Sequence, residues 1–155
     1  MALTITSPIT GAAMTGFTAP THTHVSGTAP QYNGNQRLIT SLGGTQTGAQ
    51  VNSTTVPFRL NFVTPQVIKG PAPLNSVTNK LAGNNRNKWL FLGQKGGLLL
   101  PSSYVYDQLN ARLELDVPAG LETASPGEIK SFLSAFIGAL WGNSASLADT
   151  IIAGG

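Results

Sequence analysis

Between Thr54 and Phe62 apolar and polar residues alternate: Val56, Phe58, Leu60 and Phe62 are interleaved with Thr55, Pro57, Arg59 and Asn61. A period of two marks a strand with one covered face. A second strand is predicted over Lys88–Gln94, where Trp89, Leu90, Phe91 and Leu92 form a continuous apolar run. A third follows over Tyr106–Val117, with Leu109, Ala111, Leu113, Leu115 and Val117 on one side and Gln108, Asn110, Arg112, Glu114 and Asp116 on the other. Between these, Pro65–Asn79 and the stretch from Gly96-Gly97 to Pro101 have the composition of loops, and Pro118-Ala119-Gly120 stops the last strand. Residues 1–50 are rich in Thr, Ser, Gly and Pro. They predict short strands, such as Leu3–Thr6 and Arg37–Leu42, joined by turns at Tyr32-Asn33-Gly34-Asn35 and Leu42-Gly43-Gly44-Thr45, with an N-terminal hairpin among them.

The period then changes. Ser125-Pro126-Gly127-Glu128 combines an N-cap serine, a proline at the first helical position and a glutamate at the capping-box position. Ile129, Phe132, Leu133, Phe136, Ile137, Leu140 and Trp141 follow at helical spacing, and Gly142 ends the run. Asn143 and Ser144 open a shorter helix to about Ala153. The far side of the first helix, Ser131, Ser134, Ala135, Gly138 and Ala139, is small and uncharged, which suits close packing against another chain better than exposure to water. Strands followed by two helices predict an α+β domain spanning 1–155: a turn-rich part (1–50), a main sheet (51–117) and a helical pair (125–153).

Composition strengthens the expectation of a chain that hides surface against its own copies. Charged residues make up only 10% of the 155, against roughly 25% in an average soluble domain. Charge is also segregated. Residues 1–106 contain no Asp or Glu and carry seven Lys and Arg, whereas 107–155 hold all six acids against Arg112 and Lys130. An acid-free stretch of that length suits a polyanionic partner, although a basic surface without a partner has the same composition. Met1–Thr4 has no basic region leading into an apolar one, and no apolar run is long enough to span a bilayer, so the expected location is cytoplasmic and no membrane partner is expected.

Catalytic and cofactor signals are weak. The chain has no cysteine, which removes disulfides and thiolate chemistry. His22-Thr23-His24 places two imidazoles on one side of a strand, but no third ligand lies nearby in sequence, so ordinary surface or interface histidines are the better reading and no metal or other cofactor is expected. Gly43–Gly48 lacks the Lys-Ser/Thr ending of a phosphate-binding loop, and no Gly-x-Ser-x-Gly elbow or paired acid is present. Glu114 and Asp116 sit beside Arg112 and read as a local ion pair. A small β-rich hydrolase therefore has no specific support. Arg59 and Asn61 on one strand, with Gln108, Asn110 and Arg112 on another, would present guanidinium and amide groups on a flat face, suited to phosphates and unpaired base edges. The solvated side of any antiparallel sheet alternates in the same way.

Gly96-Gly97-Leu98-Leu99-Leu100-Pro101, then Gln108-Leu109-Asn110-Ala111-Arg112-Leu113-Glu114-Leu115, then the capped helix and Gly142-Asn143-Ser144, together resemble the coat proteins of small single-stranded RNA bacteriophages, the leviviruses. The resemblance covers roughly 54–155 and is most specific from Gly96 onward. It implies an N-terminal hairpin, a five-stranded antiparallel sheet and two C-terminal helices, in an interlocked dimer with one continuous sheet. The helices of each subunit would cross the partner's sheet through Phe132, Ala135, Phe136, Ala139 and Leu140. Dimers would close into a T=3 icosahedral shell, with Gly96, Gly97 and Pro101 in an inter-dimer loop of about Gly96 to Ser103. The implied partners are further copies of the chain, genomic RNA, an RNA hairpin bound as translational repressor, and a single-copy maturation protein. The implied location is the virion, assembled in the bacterial host cytoplasm. The implied RNA-binding set is Thr55, Arg59, Asn61, Lys88, Gln108, Asn110 and Arg112, with Gln108 standing where relatives carry a base-stacking tyrosine. Leu90 and Leu92 replace expected polar groups, which leaves open whether they or Trp89 and Phe91 face outward. A tube or filament subunit without RNA specificity is the alternative.

Overall fold

The computed structural model describes residues 3–31 and 33–154. Tyr32, part of the predicted turn at 32–35, lies outside the described residues. Six antiparallel strands form one sheet in the order β1 (Ile9–Thr10), β2 (Phe17–Gly27), β3 (Gly34–Gln46), β4 (Phe58–Val63), β7 (Arg86–Leu100) and β8 (Val105–Pro118). Between β4 and β7 the chain makes a small two-stranded excursion, β5 (Leu74–Asn75) inside the segment Pro65–Asn79 predicted as a plain loop and β6 (Lys80–Leu81) just beyond it. Three helices end the chain: a single turn α1 (Leu121–Ala124), then α2 (Pro126–Gly142) and α3 (Ser144–Ala153).

The α+β layout agrees with the sequence, but the sheet has six strands rather than five with a separate hairpin. The reason is β3, whose 13 residues pair with β2 on one side and with β4 on the other, which merges the N-terminal strands into the main sheet. Gly43-Gly44 is accordingly no turn. It lies within β3 opposite a register shift at Ala19-Pro20, where Gly44 has φ +72 and a Cβ would stand 2.2 Å from the Ala19 carbonyl oxygen. Only glycine fits that approach. Leu3–Thr6, expected as a strand, forms none. Its chain is instead tied near β2, where the His24 amide donates to Ser7 Oγ at 3.1 Å and His24 Nε2 lies 3.3 Å from the Thr6 carbonyl oxygen.

The ends of two strands also lie elsewhere than expected. β4 begins at Phe58, so Thr55 sits in a turn rather than on the strand; Ser53 and Val56 close that turn by bonds in both directions. In the other direction, β7 runs on to Leu100, so Gly96 and Gly97 are strand residues and not a loop. Pro57 explains both. Its carbonyl accepts the Gly96 amide at 2.6 Å, and a Cβ on Gly96 would lie 2.6 Å from Val56 Cα. The glycine lets the 53–57 turn lie against β7. The connection to β8 is only the 3-10 turn Pro101–Ser103 followed by Tyr104 in the left-handed region (φ 53).

Buried apolar side chains are few. Ile39, Val56, Phe62 and Ala72 are covered, and Phe62 and Phe91 meet with ring centroids 4.4 Å apart. No residue of α2 or α3 is buried. Ser125 precedes α2 as predicted, but its side chain makes no capping bond, so the capping box is not formed.

Candidate functional site

Strand register sorts the side chains into two faces of opposite character, since directly paired residues share a face. One face is crossed by three continuous rows. Gln36, Asn61, Leu92 and Arg112 form the first; Leu38, Arg59, Gln94 and Asn110 the second; Gly34, Val63, Leu90 and Glu114 the third. Lys88 pairs with Asp116, and Gly96 with Gln108, at the two ends of the β7–β8 ribbon. Six of the seven residues proposed from sequence, Arg59, Asn61, Lys88, Gln108, Asn110 and Arg112, are thus brought onto one surface; Thr55 is not on these strands. The facing of β7 is resolved as well. Leu90 and Leu92 belong to the polar face, while Trp89 and Phe91 belong to the opposite one, paired with Leu115 and Leu113.

The polar face has two electrostatically distinct parts. Along β8, Glu114 holds two cations at once: Lys88 Nζ lies 2.7 Å from Oε1 and Arg112 Nη2 lies 2.7 Å from Oε2. Arg86 Nε similarly meets Asp116 Oδ2 at 2.9 Å. The hydrogen bonds from Lys88 and then Arg112 hold the Glu114 carboxyl below its ordinary pKa, and the bond to Glu114 raises that of Lys88. Beside this charged part lies an amide-rich one. Gln94 Nε2 donates to Asn110 Oδ1 at 3.1 Å, and Asn110 Nδ2 reaches the Gln108 carbonyl at 3.3 Å. Here Arg59 Nε and Asn61 Oδ1 are shielded from water and make no hydrogen bond with the described residues. Gln94 was not expected at this site, and of the two facings left open for β7 the register selects Leu90 and Leu92 for the side shared with Arg59.

The opposite face is apolar and incompletely covered. Phe58, Leu60 and Phe62 of β4 continue into Lys95, Gly93 and Phe91 of β7 and then Leu109, Ala111 and Leu113 of β8. Between β8 and α2 runs a cleft of about 410 Å³ lined by Leu113, Leu115, Ile129, Phe132, Leu133 and Phe136, among others. A second, of about 500 Å³, lies between Phe62, Phe91, Ala111, Phe136 and Leu140. On α2, Phe132 is 58% exposed and Trp141 55%, and on α3 Ile152 reaches 83%. The chain's accessible area, 10556 Å², exceeds by about 3,000 Å² the roughly 7,400 Å² expected of a compact monomer of this mass. Of the five residues assigned to subunit pairing, Phe132, Ala135, Ala139 and Leu140 are exposed and Phe136 is half-buried.

A chain of this shape leaves much of its apolar surface for other molecules to cover. It is similar, with a TM-score of 0.93 and 38% identity, to the virus-like particle of bacteriophage ESE020, over 99% of this chain and 99% of that one. The chain belongs to that bacteriophage particle family. No protein-family model matches it, and no curated protein matches it.

For a member of this particle family, the uncovered helices have a natural setting among other subunits. Among the described residues no cluster of three or more His, Cys, Asp or Glu could hold a metal, and no helix is long and apolar enough to cross a membrane. The two histidines play local parts. His24 ties the N-terminal segment, and His22 stacks edge-on against Phe58 with centroids 5.7 Å apart. Burial, and then the nearby Lys95, lower the pKa of His22.

Proposed function

We propose that this chain is the major coat protein of a single-stranded RNA bacteriophage, assembling from dimers into a closed shell whose polar sheet face lies against packaged RNA. The observation that carries this reading is full-length similarity to a bacteriophage virus-like particle, in a chain whose helices have almost nothing of their own to rest on. The excess area, about 3,000 Å² per chain, exceeds one partner's share of most obligate interfaces, roughly 1,000–2,500 Å², and so allows for a dimer interface and for further contacts between dimers. In the dimer, α2 lies across the partner's sheet, filling the clefts beside β8 and β7, and β8, at one edge of the sheet, adjoins its counterpart. That arrangement closes an edge that is otherwise open to aggregation. Dimers meet through the β7–β8 hairpin end, whose Leu98–Leu100 and Tyr104–Tyr106 are exposed.

The RNA assignment rests on the polar face. Four cations (Arg59, Arg86, Lys88 and Arg112) stand against two carboxylates, with amides of Asn61, Gln94, Gln108 and Asn110 among them. Guanidinium groups meet phosphates, amides meet base edges, and Leu90 and Leu92 give a flat apolar floor to an unstacked base. With these contacts the coat binds a replicase-gene hairpin as repressor as well as packaging the genome. A T=3 particle, a single-copy maturation protein as a further partner, assembly in the bacterial cytoplasm and the absence of catalytic activity belong to the same reading.

Electron microscopy of the expressed protein, with its absorbance ratio at 260 and 280 nm, tests both halves. Uniform shells rich in nucleic acid are expected. Shells or filaments free of nucleic acid would remove the RNA role, and a soluble folded monomer would remove the coat role.

A further inference from the structure

On the polar face one side chain organises charge rather than adding it. Glu114 and Asp116 are the two carboxylates of this face, and both stand on β8 among the strand pairs that carry its cations. Glu114 lies between Lys88 of the neighbouring strand and Arg112 of its own, with one carboxylate oxygen 2.7 Å from each. No acid occurs anywhere in residues 1–106, and the carboxylates that meet Arg86 and Lys88 of β7 both stand on β8. The consequence is spatial. Lys88 and Arg112 are internally paired, whereas Arg59, Asn61 and the Gln94–Asn110 pair have no carboxylate partner among the described residues.

We propose, building on the RNA-coat reading above, that Glu114 is a specificity-determining residue: it restrains Lys88 and Arg112 from indiscriminate phosphate capture and leaves selection to the amide-rich half of the face. A free lysine or arginine on an open sheet binds any phosphate backbone and releases a counterion on doing so. A cation already held by a carboxylate must first exchange that partner, and the exchange removes most of the non-specific gain. Contacts that read base edges are unaffected, so the ratio of specific to non-specific binding rises. Both groups being exposed, the ion pairs matter little for stability. Their position on the nucleic-acid side is what gives them a role.

The test is binding of full-length wild-type protein and Glu114→Gln to two probes, a single-stranded oligouridylate of about 30 nucleotides and a pool of random RNA hairpins, by filter retention across a salt series. Asp116→Asn, which releases Arg86, serves as the comparison. Glu114→Gln is expected to bind oligouridylate several-fold more tightly at moderate salt. Its log–log salt slope should steepen by up to about 1.4, at ~0.7 per freed cation on single strands. Preference among hairpins should narrow. If wild type binds RNA and Glu114→Gln gives the same affinity, slope and preference, the proposal is overturned while the coat reading stands. If neither protein retains either probe, the RNA reading itself fails. A folding defect in Glu114→Gln, detected by circular dichroism, would also refute the proposal, because it would make the residue structural.

Discussion

At the scale of single residues the fold depends on a few positions where a side chain has no room. Gly96 is the clearest: its missing Cβ is what allows Val56 and Pro57 to lie against β7. Gly96→Val should therefore cost about 1–3 kcal/mol through overpacking. Gly97→Val, with nothing within 4 Å of its Cβ position, should cost much less. Urea unfolding of the two variants checks the contrast, and equal midpoints would contradict it. His22 predicts a pH dependence. Its folded pKa lies below the ordinary value, so the unfolded chain takes up the proton first as pH falls. Stability from this residue is fully present above about pH 6.5 and declines as pH drops through the lower folded value. Glu114 shifts in the same direction in a lower window, below the ordinary carboxylate pKa. Unfolding midpoints measured at pH 7.5 and pH 5 should differ in wild type and differ less in His22→Gln.

At the scale of elements, the long excursion between β4 and β7 is tied down chiefly by asparagines: Asn85 Nδ2 donates to the Gly70 carbonyl at 3.0 Å, and Asn87 on β7 makes the more buried tie. Asn87 is 2% exposed, and its amide bonds Lys69 twice, accepting from the Lys69 amide at 2.8 Å and donating to the Lys69 carbonyl at 3.0 Å. Asn87→Ala removes both bonds, and because Lys69 is exposed and water can take up its backbone groups, the loss is about 0.5–1.5 kcal/mol per bond. Faster hydrogen exchange confined to residues 65–85 is the expected signature; unchanged exchange there would show that the clamp is dispensable. Periodicity made β4, β8, α2 and α3 legible because each has one apolar side. It misplaced Gly96-Gly97 and Gly43-Gly44, since glycine serves close backbone approach within a strand as readily as it serves a turn. It also left β7 two-faced: in Trp89–Leu92 every residue is apolar, and only pairing with Arg59 and Arg112 assigns sides. The candidate site was legible as residue types on β4 and β8. The capture of Lys88 by Glu114 was not, because it joins residues 26 apart in sequence, brought together by the β7–β8 register.

At the scale of the whole molecule, an area of 10556 Å² on a 16.1 kDa chain, well above that of a compact monomer of this mass, means that folding alone leaves much surface exposed, including large apolar side chains of α2 and α3. At roughly 25 cal/mol per Å² of apolar surface, covering the excess would supply tens of kcal/mol before association costs, and that is the driving force of the proposed subunit pairing. The pairing surface should then be more sensitive to charge than any surface helix of a monomer. Phe132 stacks on Phe136 with centroids 5.6 Å apart and is 58% exposed on α2. In a twofold dimer each substitution enters the same interface twice, once from each subunit. Phe132→Glu places two carboxylates where apolar rings should meet, and the desolvation cost of each falls on the contact rather than on the sheet. Sedimentation velocity should show no particles and no dimer for Phe132→Glu, whereas Lys130→Gln, changing an exposed charge two residues away, should assemble. Particles of normal size from Phe132→Glu would mean that α2 is not the seam along which the subunits join.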